Sequence, residues 1–135
     1  MVRPIVLAFV LVALGCNKEK GADCQKLLQV AGPQHASLRE AFGRSDQQPS
    51  DLEAQAVAFE KGAADLEALD VKDESVKAIA TEYAGVLKQA AQVRRDMAAS
   101  AGALDPAAAA KAQAGATSLI VEETRVKAKI DTTCR

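Results

Sequence analysis

The chain contains 135 residues, with 17 Lys and Arg against 18 Asp and Glu, so its formal net charge at neutral pH is −1. This length corresponds to a single domain, and the lack of a basic excess argues against a nucleic-acid-binding protein. Aromatic residues make up only 3% of the chain and Trp is absent, which argues against base-stacking platforms and aromatic ligand cages.

The N-terminal segment has the pattern of an export signal. One positive charge, Arg3, precedes an uninterrupted apolar run from Ile5 to Leu14. This run is shorter than the ~20 apolar residues needed to cross a bilayer, but it has the length of a signal-peptide hydrophobic region. A small residue, Gly15, then stands directly before Cys16. We therefore predict that residues 1–15 are a signal peptide.

The segment Val12-Ala13-Leu14-Gly15-Cys16 resembles the lipobox of bacterial lipoproteins. The resemblance covers the first 16 residues. It implies that the signal is cut before Cys16, that its thiol carries a diacylglycerol, and that the new amino terminus carries a further acyl chain such as palmitate. Two or three acyl chains hold a protein firmly at a membrane, whereas one holds it weakly. Within Gram-negative lipoproteins, Asn17 after the cysteine implies the outer membrane, with the protein facing the periplasm.

Residues 16–22 are predicted to form the lipidated cysteine and a short, polar, flexible tether, and residues 23–135 a helical domain. Six extended residues span about 20 Å, so the domain is expected close to the membrane surface.

Two further cysteines, Cys24 and Cys134, stand near the two ends of this domain. Exported proteins enter an oxidising compartment, where paired thiols persist as disulfides. A Cys24–Cys134 disulfide would close a loop of roughly 110 residues and, in the chain-entropy model, contribute about 4–5 kcal/mol. A redox or metal-binding role is the alternative, but the chain has no CxxC spacing and no histidine nearby to favour it.

The first helix is predicted from about Asp23, a suitable N-cap, to Phe42. Pro33 lies inside it, and proline removes an intrahelical hydrogen bond and crowds the preceding turn. We therefore predict a helix that is either kinked or split near Pro33, followed by a loop over residues 43–49.

The second helix is predicted from the capping box Ser50-Asp51-Leu52-Glu53 to about Leu69. Its predicted inward face consists of Leu52, Ala56, Phe59, Ala63 and Leu66. The third carries a heptad seam of apolar residues, and a break is predicted at residues 100–103. The members of the seam are Val76, Ile79, Tyr83, Val86, Ala90, Val93 and Met97.

The fourth helix is predicted to open at Asp105, an N-cap followed by Pro106 at the first helical position. Its inward positions are mostly small, and Glu123 is the one mismatch among them. These positions are Ala109, Ala112, Ala116, Leu119, Val126 and Ile130.

Four helices joined by short loops predict an all-α, up-down four-helix bundle. Such a bundle places the start of the first helix beside the end of the fourth, where Cys24 and Cys134 would meet.

No constellation of residues predicts catalysis, a cofactor or a metal. His35 is the only histidine, too few for a zinc site or for the Glu-x-x-His motifs of di-metal bundles, and we predict a surface or partly buried side chain. Gly-rich phosphate loops and Ser/His/Asp arrangements are missing from the sequence. The acidic stretch from Glu60 to Glu74 lacks the spacing of a calcium loop and is interpreted as a solvated face. Arg94-Arg95 is expected to pair with acids on the next helix or to be solvated.

The leading hypothesis is a membrane-anchored, non-catalytic lipoprotein whose bundle binds or organises an envelope protein. One alternative is a carrier or sensor of a small ligand held between helices. The other is an inhibitor or immunity-type protein whose acidic stretch mimics a charged substrate.

Overall fold

A computed structural model describes the backbone of residues 11–135 and the side chains of residues 18–135. Residues 1–10 of the predicted signal peptide, and the side chain of the predicted lipidation residue Cys16, lie outside the described residues. The described part of the chain contains four helices and no strand, which confirms the all-α prediction and gives a four-helix bundle. The helices are α1 (Leu11–Gly43), α2 (Pro49–Glu67), α3 (Glu74–Ala103) and α4 (Pro106–Thr133).

Helix α1 begins upstream of the predicted boundary, so residues 17–22, predicted as a flexible tether, are helical. Lys and Glu are good helix formers, and the single Gly21 does not outweigh them. Asp23 is consequently inside the helix, and the prediction that it is the N-cap of α1 is wrong. Its carboxylate instead accepts the backbone N–H groups of Lys72 and Asp73, at 2.7 and 2.8 Å.

Pro33 lies within α1, which continues on both sides of it. The prediction that the first helix is split there is therefore wrong. The flanking turns are held because Leu27, Ala31, Leu38 and Ala41 are buried against the other helices.

The N-cap of helix α2 lies two residues before the predicted N-cap Ser50. Gln48 is the N-cap and Pro49 opens the helix, because the fixed φ of proline suits the first helical position. The backbone N–H of Gln48 donates to the Asp51 carboxylate at 3.1 Å. Glu53, predicted to complete the capping box, is thus free to reach α3.

Helix α3 is capped by Asp73, whose carboxylate accepts the N–H groups of Ser75 and Val76. The break predicted at residues 100–103 is wrong, because Ser and Ala are compatible with a helix and α3 runs through them. The helix ends at Leu104, which has a left-handed φ of 49°. Asp105 then caps α4 as predicted, accepting the N–H groups of Ala107 and Ala108.

The core is organised around α3, against which α2 and α4 both pack extensively, whereas α1 packs more sparsely on α2 and α3. The inward positions predicted for α2 and α3 are buried, apart from the partly exposed Met97. On α4, Ala109 is exposed, contrary to prediction, because burial on that helix begins one turn later at Ala112. Helix α3 also buries a second stripe, formed by Ala80, Ala84, Leu87, Ala91 and Arg94.

Candidate functional site

The start of the domain is fastened by two neighbouring side chains. The sulfur atoms of Cys24 and Cys134 lie at bonding distance, and their Cα atoms are 5.5 Å apart. Asp23, beside Cys24, holds α1 to the start of α3 through the two N–H groups described above. These hydrogen bonds, led by the one from Asp73, hold the pKa of Asp23 below its usual value. Both ends of the chain's helical domain are thus tied to one end of the bundle.

Further along α1, the single histidine faces α4. His35 Nδ1 contacts the carboxylate oxygen Oε1 of Glu123, and both side chains are mostly buried. Because an ionised carboxylate only accepts hydrogen bonds, Nδ1 is the donor. Glu123, the mismatch in the apolar pattern of α4, therefore has a specific partner on α1.

An open groove follows this contact along α1 and α4. It has a volume of about 440 Å³ and is bounded by His35 and Glu123. Its floor is apolar, and Arg39 and Lys127 stand among its lining residues. The apolar lining residues are Leu38, Phe42, Leu119 and Ile120. We call this feature the α1–α4 groove.

A second cavity, of about 380 Å³, lies where the α1–α2 loop meets α3 and α4. Arg94 lines it, although this side chain belongs to a residue that is only 2% exposed. We call it the Arg94 cavity. Its other lining residues are Phe42, Arg44, Ser45, Gln47, Leu52, Met97, Gln113, Ala116, Thr117 and Ile120.

The Arg94 guanidinium lies over the Phe42 ring, 3.6 Å from the ring centroid. Its Nη1 donates to Gln47 Oε1 at 2.9 Å and approaches the Met97 sulfur at 3.6 Å. Its Nε and Nη2 atoms are buried and have no hydrogen-bond partner among the described residues. Burial lowers the pKa of Arg94 to about 10. This arginine is neither paired with an acid nor solvated, contrary to both sequence expectations.

The next residue on the same helix, Arg95, has its positive charge paired with carboxylates. Its guanidinium donates to Glu53 at 3.1 Å and to both carboxylate oxygens of Glu60. Arg95 thus pairs with acids, as one of the two sequence expectations had it, but these acids are on the preceding helix α2 and not on the next one. The bonds from Arg95 lower the pKa of Glu60, and those from Glu60 and Glu53 raise the pKa of Arg95. Two adjacent arginines therefore differ completely in their surroundings.

The acidic stretch from Glu60 to Glu74 is used largely within the protein. Besides Glu60, Asp65 pairs with Lys61 on the same helix and Glu67 with Lys88 on α3. Asp73 caps α3, and hydrogen bonds led by that of Ser75 lower its pKa. The stretch thus forms exposed ion pairs and a helix cap.

Within residues 18–135, no group of three or more His, Cys, Asp and Glu side chains is arranged to hold a metal ion. Among the helices of the described part of the chain, none combines the length and apolar character needed to cross a membrane. Compared with known proteins, the chain matches no family model, no curated protein and no solved structure.

The sequence marks Glu123 as a mismatch on α4 without indicating its partner His35, and sequence reasoning missed the burial of Arg94. A signal for Arg94 exists in the pattern: it continues the row of Ala80, Ala84, Leu87 and Ala91 at steps of four and three. This spacing indicates that the positive charge of Arg94 lies on an inward face of α3.

Proposed function

We propose that this protein is a lipid-anchored, non-catalytic component of a bacterial envelope, which binds a partner protein through the α1–α4 groove. The anchor rests on the lipobox-like segment ending in Cys16. The docking part of the proposal rests on the groove, which is open and has an apolar floor. The two helices that form it are held together at one end by the Cys24–Cys134 pair.

The proposed arrangement of the bundle is up-down, with α1 beside α4. Support comes from the five residues between α1 and α2, the six between α2 and α3, and the two between α3 and α4, since short connections favour antiparallel neighbours. The kink at Pro33 stays a prediction.

The occupant we propose is an amphipathic helix of an envelope protein. Apolar residues spaced along one face of a helix fit a groove of this kind. Ile120 lines the groove and is 57% exposed, so an apolar partner has surface to bury there. Arg39 and Lys127 at the same groove favour acidic residues beside the apolar face of that partner.

Site-specific photo-crosslinking in membranes of the native or a related host tests this docking surface. A photoreactive residue at position 120 should capture a reproducible protein partner. Position 57 on α2 is the matched control, because Val57 is 55% exposed and lies outside the α1–α4 groove. Equal capture at both positions, or capture at neither, would contradict docking in the groove.

The intact mass of the protein recovered from the membranes tests the anchor independently. We expect the mass of residues 16–135 plus acyl chains, and an unlipidated protein would contradict it.

A carrier or sensor of a small ligand is the second candidate, favoured by the volume of about 440 Å³ in the α1–α4 groove. Small-molecule sites commonly have volumes of roughly 300–1,000 Å³. A ligand held there would raise the melting temperature of the purified protein, and no shift across a panel of lipids and dyes would argue against this candidate.

A further inference from the structure

We propose that the Arg94 cavity binds the carboxylate of a small organic acid that carries a short apolar chain. This inference goes beyond the docking function, because it requires neither a lipid anchor nor a protein partner. It starts from Arg94, a buried arginine whose charge is not compensated by an acid among the described residues.

Burying a cation is costly unless a carboxylate and further hydrogen bonds accompany it. Arg94 is 2% exposed, yet it makes no ion pair with any of the described residues. The Phe42 ring and the Gln47 amide offer partial compensation. A bound anion would complete it, and would account for an arginine at an otherwise apolar position of α3.

The two partnerless donors of Arg94 suit a carboxylate. Nε and Nη2 lie on the same edge of the guanidinium plane, where two parallel N–H donors match the two oxygens of one carboxylate. Both atoms are covered by neighbouring side chains. Binding a carboxylate therefore requires neighbouring side chains to move. Gln47 and Met97 line the cavity, contact the adjacent Nη1 and are only partly buried, so we expect the rearrangement there. Rotamer changes of this size commonly accompany binding.

The lining of the cavity favours an anion with a small apolar part. No Asp or Glu lines it, whereas Arg44, which forms an exposed ion pair with Asp46 at 3.8 Å, and the hydroxyl group of Thr117 do. Phe42, Leu52 and Ile120 provide apolar walls. The volume of about 380 Å³ lies in the range of small-ligand sites, so a short-chain monocarboxylate fits the cavity better than a polymer or a large headgroup.

Titration of the full chain with hexanoate tests the proposal, with 1-hexanol as the uncharged comparison of similar size. The chain is used as recovered, in lipid nanodiscs when acylated and in buffer when not. Hexanoate should bind at least about tenfold more tightly than 1-hexanol, because only the acid engages the Arg94 donors. The Arg94→Gln variant should lose that preference, and Arg95→Gln is the matched control that should retain it.

The ¹⁵N-resolved Nε–H resonance of Arg94 gives a second measurement that needs no variant. Hexanoate should shift this signal, while 1-hexanol should leave it in place, even if Arg94→Gln does not fold. Equal affinity for acid and alcohol, an Arg94 signal indifferent to hexanoate, or an equal loss of binding in Arg94→Gln and Arg95→Gln would overturn the proposal. Each outcome is independent of the photo-crosslinking and mass measurements that test the anchor and the partner.

Discussion

His35 on α1 contacts Glu123 on α4 across 88 positions of sequence, and both residues line the α1–α4 groove. Helix α1 packs sparsely on its neighbours, so individual side chains matter for its position. Cys24 holds one part of α1 to the end of α4 and His35 holds the next. Next to this contact, the two helices leave the α1–α4 groove open between them.

The first prediction concerns this contact. Glu123→Ala should lower the free energy of unfolding by about 1 kcal/mol, because it removes a charge-assisted hydrogen bond that is largely shielded from water. His35→Ala should cost a similar amount, and the double variant little more than either single one. Urea unfolding of the four proteins measures the coupling between the two side chains. Additive effects would show that the contact contributes nothing.

The cysteine pair provides the second prediction. Replacing both Cys24 and Cys134 by Ala should lower the free energy of unfolding by up to about 4–5 kcal/mol, since a crosslink between residues 110 positions apart restricts the unfolded chain. Melting temperatures with and without reductant measure this loss. The double variant should be insensitive to reductant, and a wild-type protein equally insensitive to it would contradict the crosslink.

Helix number, the core faces of α2 and α3 and the start of α4 were predictable because each depends on local signals. Val76 and Ile79 follow a helical period, and Asp105-Pro106 is a local start signal. The limits of α1 and α2 were not predictable in this way. Asp23 has the chemistry of an N-cap for its own helix, but it serves the chain before α3, and only the tertiary fold brings Lys72 and Asp73 to it.

The candidate sites were harder to predict for the same reason. The cysteine pair is predictable by counting residues in a chain that is predicted to be exported, since the two thiols left after Cys16 allow one pairing. His35 and Glu123 stand out in the sequence only as isolated features, because nothing in the sequence relates positions 88 apart. Arg94 was grouped with Arg95 because the two are adjacent, although successive positions on a helix point about 100° apart. Arg95 therefore reaches the acids of α2, whereas Arg94 points into the core.

Asp23 gives the third prediction, on acid stability. Its folded-state pKa lies below the value in the unfolded chain, so the unfolded state takes up the proton first as the pH falls. Its contribution is complete above about pH 4 and is lost as the pH drops through the folded-state pKa. Asp23→Asn should thus lower stability at neutral pH and narrow its difference from wild type at pH 2–3. Unfolding curves across pH measure this. A difference that does not shrink in acid would contradict it.

Leu104 provides the fourth prediction. Its backbone is left-handed and its side chain is 88% exposed, so it carries conformational strain without burying apolar surface. Leu104→Gly should raise the free energy of unfolding by about 1 kcal/mol, because glycine adopts this conformation without a Cβ clash. Leu104→Ala keeps the Cβ and is the matched control, expected to stay near wild type. Thermal unfolding compares the three, and a destabilised glycine variant would show that strain at this residue is negligible.

The fifth prediction separates stability from binding at Arg94. Replacing a buried ion that lacks full compensation by an apolar side chain of similar length is often stabilising, and natural binding sites commonly forgo stability in this way. Arg94→Met should therefore raise the free energy of unfolding in ligand-free buffer by about 1 kcal/mol, despite losing the contact with Phe42. Arg95→Met, the control, removes an arginine already paired with Glu53 and Glu60 and should bring no gain.

Addition of hexanoate should then make wild type more stable to unfolding than Arg94→Met, which reverses their order in ligand-free buffer. The acid stabilises wild type by binding only its folded state, whereas Arg94→Met offers it no donor. Calorimetric melting curves with and without hexanoate measure both effects. A strongly destabilised Arg94→Met protein would mean that Phe42 and Gln47 already compensate the buried charge, and that Arg94 serves the packing of α3 against the α1–α2 loop.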